Sequence, residues 1–204
     1  MTIAVGIFDL FTYTIPGALY LGLFSYVAFR LHWLNPTAVD HLPTFLLVVI
    51  LVLASYLLGY IAYPIGAGLN RVLPKRRDRS RYRAVFLQRV PAARHRDFVH
   101  ADHGVLFSAI QWQDKDVAAD VNRLRAAGLM LRNSAPALLL GATIAFIEIF
   151  TSPHPAPPIV IVILLGFGSI ALTIQGRRLS HWANLKTLEL AFWVPEVDEK
   201  VREP

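Results

Sequence analysis

Four stretches of this 204-residue chain run without a Lys, Arg, Asp or Glu: residues 10–29, 42–69, 134–147 and 159–175. A helix crossing a hydrocarbon core about 30 Å thick needs roughly 20 mostly apolar residues. The first two stretches meet that length. The third reaches it when its ends, including Glu148 and Phe150, lie at an interface, and the fourth is slightly short. The pattern predicts an all-α membrane protein with four transmembrane helices. The first pair, at about 10–29 and 42–65, lies within residues 1–65, and the second pair lies within 134–175. Residues 66–133 form a basic, largely helical loop, and residues 176–204 an amphipathic helix and tail.

Details within each stretch refine the picture. Pro16 and Gly17 fall in the first span, where a proline removes a backbone donor and predicts a kink or break. Ala18 and Gly22, and Ser55 and Gly59, are small residues four apart, a spacing that permits close helix contact in a membrane. The second stretch holds 28 residues, about 42 Å as helix, more than the core requires. It is expected to tilt, or to end near Tyr63-Pro64 and continue as an interfacial turn through residues 66–68. Tyr56, Tyr60 and Tyr63 recur at helical spacing and read as an aromatic belt. From about Asp114, the spacing of Val117, Val121, Leu124 and Leu131 predicts a helix that runs into the third span, with Gly128 and Pro136 as bends. Leu179, Trp182, Leu185, Leu188 and Phe192 approximate another apolar stripe, able to lie on the membrane surface or to pack on the loop.

Composition agrees with burial in lipid. Hydrophobic residues make up 55% of the chain, mean hydropathy is +0.47, and 17% of residues are charged, against roughly 25% in a typical soluble domain. Too few polar groups remain to cover a soluble globule. With no cysteine, disulfides, thiolate nucleophiles and Cys-ligated metal centres are excluded within this chain. The opening residues lack the basic region of a secretory signal, so the first stretch is expected to persist as a span.

Charge then sets an orientation. Of the 20 Lys and Arg residues, fourteen lie between the second and third stretches and five follow the fourth. Only Arg30 lies in a remaining connector. Basic residues near spans favour the cytoplasmic side. Both termini and the middle loop are therefore expected in the cytoplasm of a bacterial cell, the spans in its inner membrane, and an even number of spans is required.

Three groups of residues carry candidate chemistry. Lys75, Arg76, Arg77, Arg79, Arg81 and Arg83 pack six cations into residues 75–83. Such a patch fixes topology and attracts anionic lipid, at about 1 kcal/mol per basic residue. It can also bind a phosphate ligand, since arginine forks match phosphate geometry. No Walker sequence or GxGxxG accompanies it, and no pattern for sequence-specific nucleic-acid binding does either. His95, His100 and His103, with Asp97 and Asp102, offer metal-ligating atoms at a spacing that matches no standard motif; a solvated helical surface is the alternative. Glu148 directly follows the third stretch, and with Thr143, Ser169 and Thr173 it is a candidate lining for a pore formed between subunits. No catalytic triad, acid–base pair or cofactor site can be assigned.

The Asp-Leu-Phe-x-Tyr-x-Ile-Pro-Gly opening (residues 9–17) and Leu-Arg-Asn-Ser (residues 131–134) give the chain a resemblance. It resembles uncharacterised bacterial four-helix membrane proteins with a Pro-Gly first span. Some similar proteins are effectors of anti-phage defence, in which a cytosolic signal triggers membrane permeabilisation. The resemblance implies a non-enzymatic homo-oligomer in contact with anionic lipid that responds to a cytosolic protein or nucleotide signal. A membrane anchor recruiting a cytosolic partner is the rival reading, and a membrane-surface enzyme using the three histidines is the third.

Overall fold

Helices make up all the regular structure in the described residues of this computed structural model, which are 3–33, 43–72, 78–195 and 197–202. The chain divides into two units. Unit 1 comprises Met1–Leu73 and Leu129–Gly176; unit 2 comprises Pro74–Gly128 and Arg177–Pro204.

Unit 1 contains helices α1 (Ile3–Arg30) and α2 (Thr44–Val72) with the apolar parts of α5 (Lys115–Thr151) and α6 (Ala156–Ala191). All four helices are long and apolar enough to cross a membrane. Their outward surface supports that placement. Phe45 is 80% exposed, Phe167 69% and Leu164 68%, a density of large apolar side chains that water does not solvate favourably and acyl chains do. At 1.5 Å per residue, 37- and 36-residue helices are about 55 Å long, so only part of α5 and of α6 fits a hydrocarbon core.

α1 runs through Pro16 without a break, and Pro16 itself is fully buried. α2 likewise continues through Pro64 to Val72. This corrects the expectation of an interfacial turn at residues 66–68. Staying helical keeps the backbone groups of residues 66–68 paired, and a helix containing proline forfeits only one hydrogen bond.

Small residues set the α1–α2 contact. A Cβ on Gly17 would fall against the carbonyl of Ser55 and 2.6 Å from the Gly59 nitrogen. One on Gly59 would meet the Tyr13 backbone, with the Tyr13 carbonyl carbon at 2.6 Å. Ser55 and Gly59 thus make the close approach their spacing predicts. Ala18 and Gly22 do not; a Cβ on Gly22 would meet nothing within 4 Å. The Tyr13 ring packs against Tyr56 and Tyr60, with centroids 5.9 and 5.6 Å away, so two of the three tyrosines on α2 hold helices together. Tyr20, Ala62 and Ala137 bring α1, α2 and α5 into one small buried cluster. Ser169 Oγ of α6 donates to the Ala135 carbonyl of α5 at 2.8 Å.

Unit 2 is built from α3 (Asp78–Arg89), two 3-10 turns (Pro91–His95 and Asp97–His100), α4 (His103–Gln113), the start of α5, the end of α6 and α7 (Val197–Arg202). Its sequence is polar on average, yet it closes around a core. Phe86 of α3, Phe98 and Val99 of the second turn, Leu106 and Ile110 of α4, Leu185 and Leu188 of α6 and Val197 of α7 all lie at 2% exposure or less. Phe86 and Phe98 meet edge to face at 6.1 Å.

Local chemistry sets the boundaries. Asp102 caps α4 by accepting from the Gly104 amide at 2.6 Å. Asp114 accepts from the amides of Asp116 and Val117 at 2.9 and 3.1 Å, starting α5 one residue after α4 ends. Such caps satisfy amides that have no partner within the helix. Asp198 of α7 pairs with Arg96 and accepts from the Phe98 amide at 3.0 Å, tying the C-terminal helix to the turns. Arg89 of α3 pairs with Glu189 of α6 at 2.8 Å. The stripe on α6 that packs is Ala183, Leu185, Leu188 and Ala191, while Trp182 stays 48% exposed. The end of α6 therefore serves a protein core, and the surface-lying alternative is set aside.

Candidate functional site

Within unit 1, Glu148 does not stand free at the end of α5. Tyr26 of α1 donates to its Oε1, and Arg30 Nε approaches the same oxygen at 3.4 Å. The carboxylate thus accepts a hydrogen bond from a phenol and pairs with a guanidinium, both from one helix, which removes much of the cost of an acid beside a span. Thr143 and Thr173 turn their hydroxyls onto the Leu139 and Ser169 carbonyls of their own helices, at 3.0 and 2.9 Å. Ser169 is buried on Ala135. Of these four candidate pore residues, only Thr143 is exposed.

An apolar cavity of about 250 Å³ lies in the same unit, lined by Ala18, Gly22, Ala137, Gly141 and Leu165 among others. Its lining holds no titratable or nucleophilic group, so it can take hydrocarbon and cannot perform acid–base or nucleophilic chemistry. Ala18 and Gly22, read from sequence as a packing pair, are part of this lining. At the other end of the helices, the Arg132 guanidinium stacks over Tyr63 at 5.3 Å. Beside it Asn133 is completely buried against Gly66, its amide without a hydrogen-bond partner.

Unit 2 holds the denser polar cluster. Lys75, Arg76 and Arg77 lie outside the described residues, and Arg79 and Arg81 fall in the first turn of α3. Arg83 leaves the run and points into the unit. Its Nη2 lies 3.4 Å from the His100 carbonyl and 3.5 Å from that of Ala101, and its Nε is buried without a partner. His103 follows at the start of α4. Its ring packs 4.9 Å from Tyr82, whose other neighbour is the His181 ring at 6.3 Å. Neither ring nitrogen of His103 has a hydrogen-bond partner. Arg125 of α5 lies over the Phe107 ring at 4.6 Å, with Nη2 3.3 Å from the Thr187 hydroxyl.

These groups act on one another. Burial, then the charges of Arg125 and Arg83, hold the His103 imidazole below the ordinary histidine range; Asp102 opposes them. Among the described residues, no carboxylate lies within ion-pair distance of Arg83 or Arg125. His95 and His100 are exposed on the turns, and no group of three or more His, Cys, Asp or Glu among the described residues is placed to hold a metal ion. Sequence reading named Arg83 and His103 in separate motifs. It missed Arg125, and it missed Tyr82, whose ring packs on His103. Comparison with protein-family models, with curated proteins and with solved structures finds no match to this chain.

Proposed function

We propose that this chain is a non-enzymatic, multi-pass protein of the bacterial inner membrane whose cytoplasmic unit 2 receives a signal and whose unit 1 responds, as an oligomer, by opening a conductive path. The observation that supports this reading is the core of unit 2. Residues 74–128 and 177–204, separated in sequence by the third and fourth apolar stretches, pack Phe86, Phe98, Leu185 and Leu188 into one fully buried cluster. A connector needed only to fix topology requires charge and no core. Helices α5 and α6 each contribute residues to both units, so the chain itself links receiver and responder. The cavity within one unit 1 is apolar, so an ion path belongs between subunits, with exposed Thr143 the best placed of the polar candidates.

A second reading, an anchor that recruits a cytosolic partner without conducting, draws support from Trp112 and Trp193. They are 89% and 79% exposed on unit 2, and exposed indoles are favoured at protein interfaces. Controlled expression with a membrane-potential dye separates the two. Depolarisation that disappears when the core substitution Leu188→Ala unfolds unit 2 is the expected result. An unchanged potential at matched expression, with or without cytosolic extract as trigger, sinks the effector reading and leaves the anchor.

A further inference from the structure

We propose that Arg83, His103 and Arg125 form a binding site in unit 2 for a phosphate-bearing ligand. The inference rests on the reading of unit 2 as a receiver and names the chemistry it receives. Buried donors that lack partners are costly, on the order of 1–3 kcal/mol each and more when charged. Here Arg83 Nε has none, and neither the donor nor the acceptor nitrogen of the neutral His103 ring has one, although Arg83 Nη2 is held by two backbone carbonyls of the turn that precedes His103. Arg125 comes from a different helix, and its contacts are a hydroxyl and an aromatic face, neither of which neutralises it. Two guanidiniums whose charges both act on one imidazole, with no carboxylate within ion-pair distance of either among the described residues, make a concentration of positive charge that Asp102 offsets only in part.

Phosphate answers each element. Its oxygens accept from a guanidinium fork in two parallel bonds, and its charge is matched by two cations better than a single carboxylate's would be. Asp102 is the nearby acid, and its Oδ1 is already used by the Gly104 amide. The Tyr82 ring packs on His103 and fixes the plane of the imidazole. All three site residues are half-buried as a whole, while Arg83 Nε and the two His103 ring nitrogens are themselves buried, so a ligand from solvent meets them only when these side chains turn outward. Arg89 and Arg96 are already matched by Glu189 and Asp198 and are not part of the site.

The test uses the full chain in detergent micelles without phospholipid, titrated with pyrophosphate in one arm and with short-chain phosphatidylglycerol in the other. Binding is read by calorimetry. Saturable binding is expected in at least one arm, weakened about tenfold or more by Arg83→Gln and by Arg125→Lys, which keeps the charge and loses the fork. Arg94→Gln, an exposed control, leaves it unchanged. Binding in the pyrophosphate arm marks a soluble ligand, and binding in the lipid arm alone marks a headgroup; both uphold phosphate chemistry. The wild-type protein supplies an independent readout by nitrogen NMR of the His103 ring. The groups facing that ring are Arg83 and Tyr82 on α3, Asp102 before α4 and Arg125 on α5, with His181 of α6 behind Tyr82. A bound anion should move the His103 titration to higher pH. No saturable binding in either arm, or binding indifferent to both arginine variants, overturns the proposal. Depolarisation is scored separately, so a site without conduction and conduction without this site are told apart.

Discussion

Replacing Phe86 with Ala tests whether two distant segments share one core. Phe86 is on α3, is wholly buried, and meets Phe98 edge to face at 6.1 Å, and Phe98 in turn lies 6.5 Å from Phe192. Truncating a buried Phe costs about 3–5 kcal/mol, including the cavity left behind and the lost aromatic pair. Small domains are stable by about 5–15 kcal/mol, so the change removes a large fraction of what holds unit 2 together. At 1.4 kcal/mol per decade, amide exchange governed by opening of the unit should accelerate roughly 10²–10⁴-fold. The assay is hydrogen–deuterium exchange of the full chain in detergent, read on peptides from α3, from α4 and from the end of α6 beyond residue 177. All three should lose protection together. If α3 exchanges faster while the end of α6 keeps its protection, the two segments do not share a cooperative core.

Three further outcomes follow from the same geometry. Gly59→Leu places side-chain atoms where the Tyr13 backbone lies; overpacking of about 1–3 kcal/mol or more should lower the melting temperature in detergent and separate α1 from α2 in a disulfide-trapping assay, whereas unchanged trapping rejects the close contact. Asp198→Ala strands the Phe98 amide and removes the partner of Arg96, so urea unfolding of unit 2 should shift by about 1–3 kcal/mol; a shift below the error of the fit argues against α7 docking. Because the folded His103 imidazole binds a proton less readily than the unfolded one, with an ordinary value near 6.5, unit 2 should lose stability as pH falls below that value. His103→Gln should flatten that part of the pH profile, and an undiminished slope assigns the acid sensitivity elsewhere.

The spans were the most legible part of the chain because their signal is long, continuous and free of charge. Continuity of α5 was legible too, since the stripe from Val117 to Leu131 keeps its period up to the apolar stretch. Pro64 misled the reading of α2. Local propensity argues for a stop at proline, but a proline inside a helix forfeits only one hydrogen bond while the rest of the backbone stays paired. The core of unit 2 was hidden for a different reason. Phe86, Phe98, Leu106 and Ile110 sit on two short helices and a 3-10 turn, each too brief to build a periodic signal among so many arginines. Tyr82-x-x-x-Phe86, with Val85 and Leu87 beside it, was the available hint of a buried face. Of the polar cluster, the sequence exposed the members but not their meeting. Arg83, His103 and Arg125 are spread over more than forty residues, and only tertiary packing brings them to one imidazole.

Reception of a cytosolic signal by unit 2 requires that unit 2 lie in the cytoplasm. The natural absence of cysteine allows a direct test by single-cysteine labelling with a membrane-impermeant maleimide. Arg94→Cys reports on unit 2, and His154→Cys on the turn between α5 and α6; both positions are exposed. With unit 2 in the cytoplasm, intact spheroplasts label at 154 and not at 94 until the membrane is permeabilised. Labelling at 94 in intact spheroplasts, with 154 protected, would place the receiver outside the cell and rule out cytosolic signalling through it.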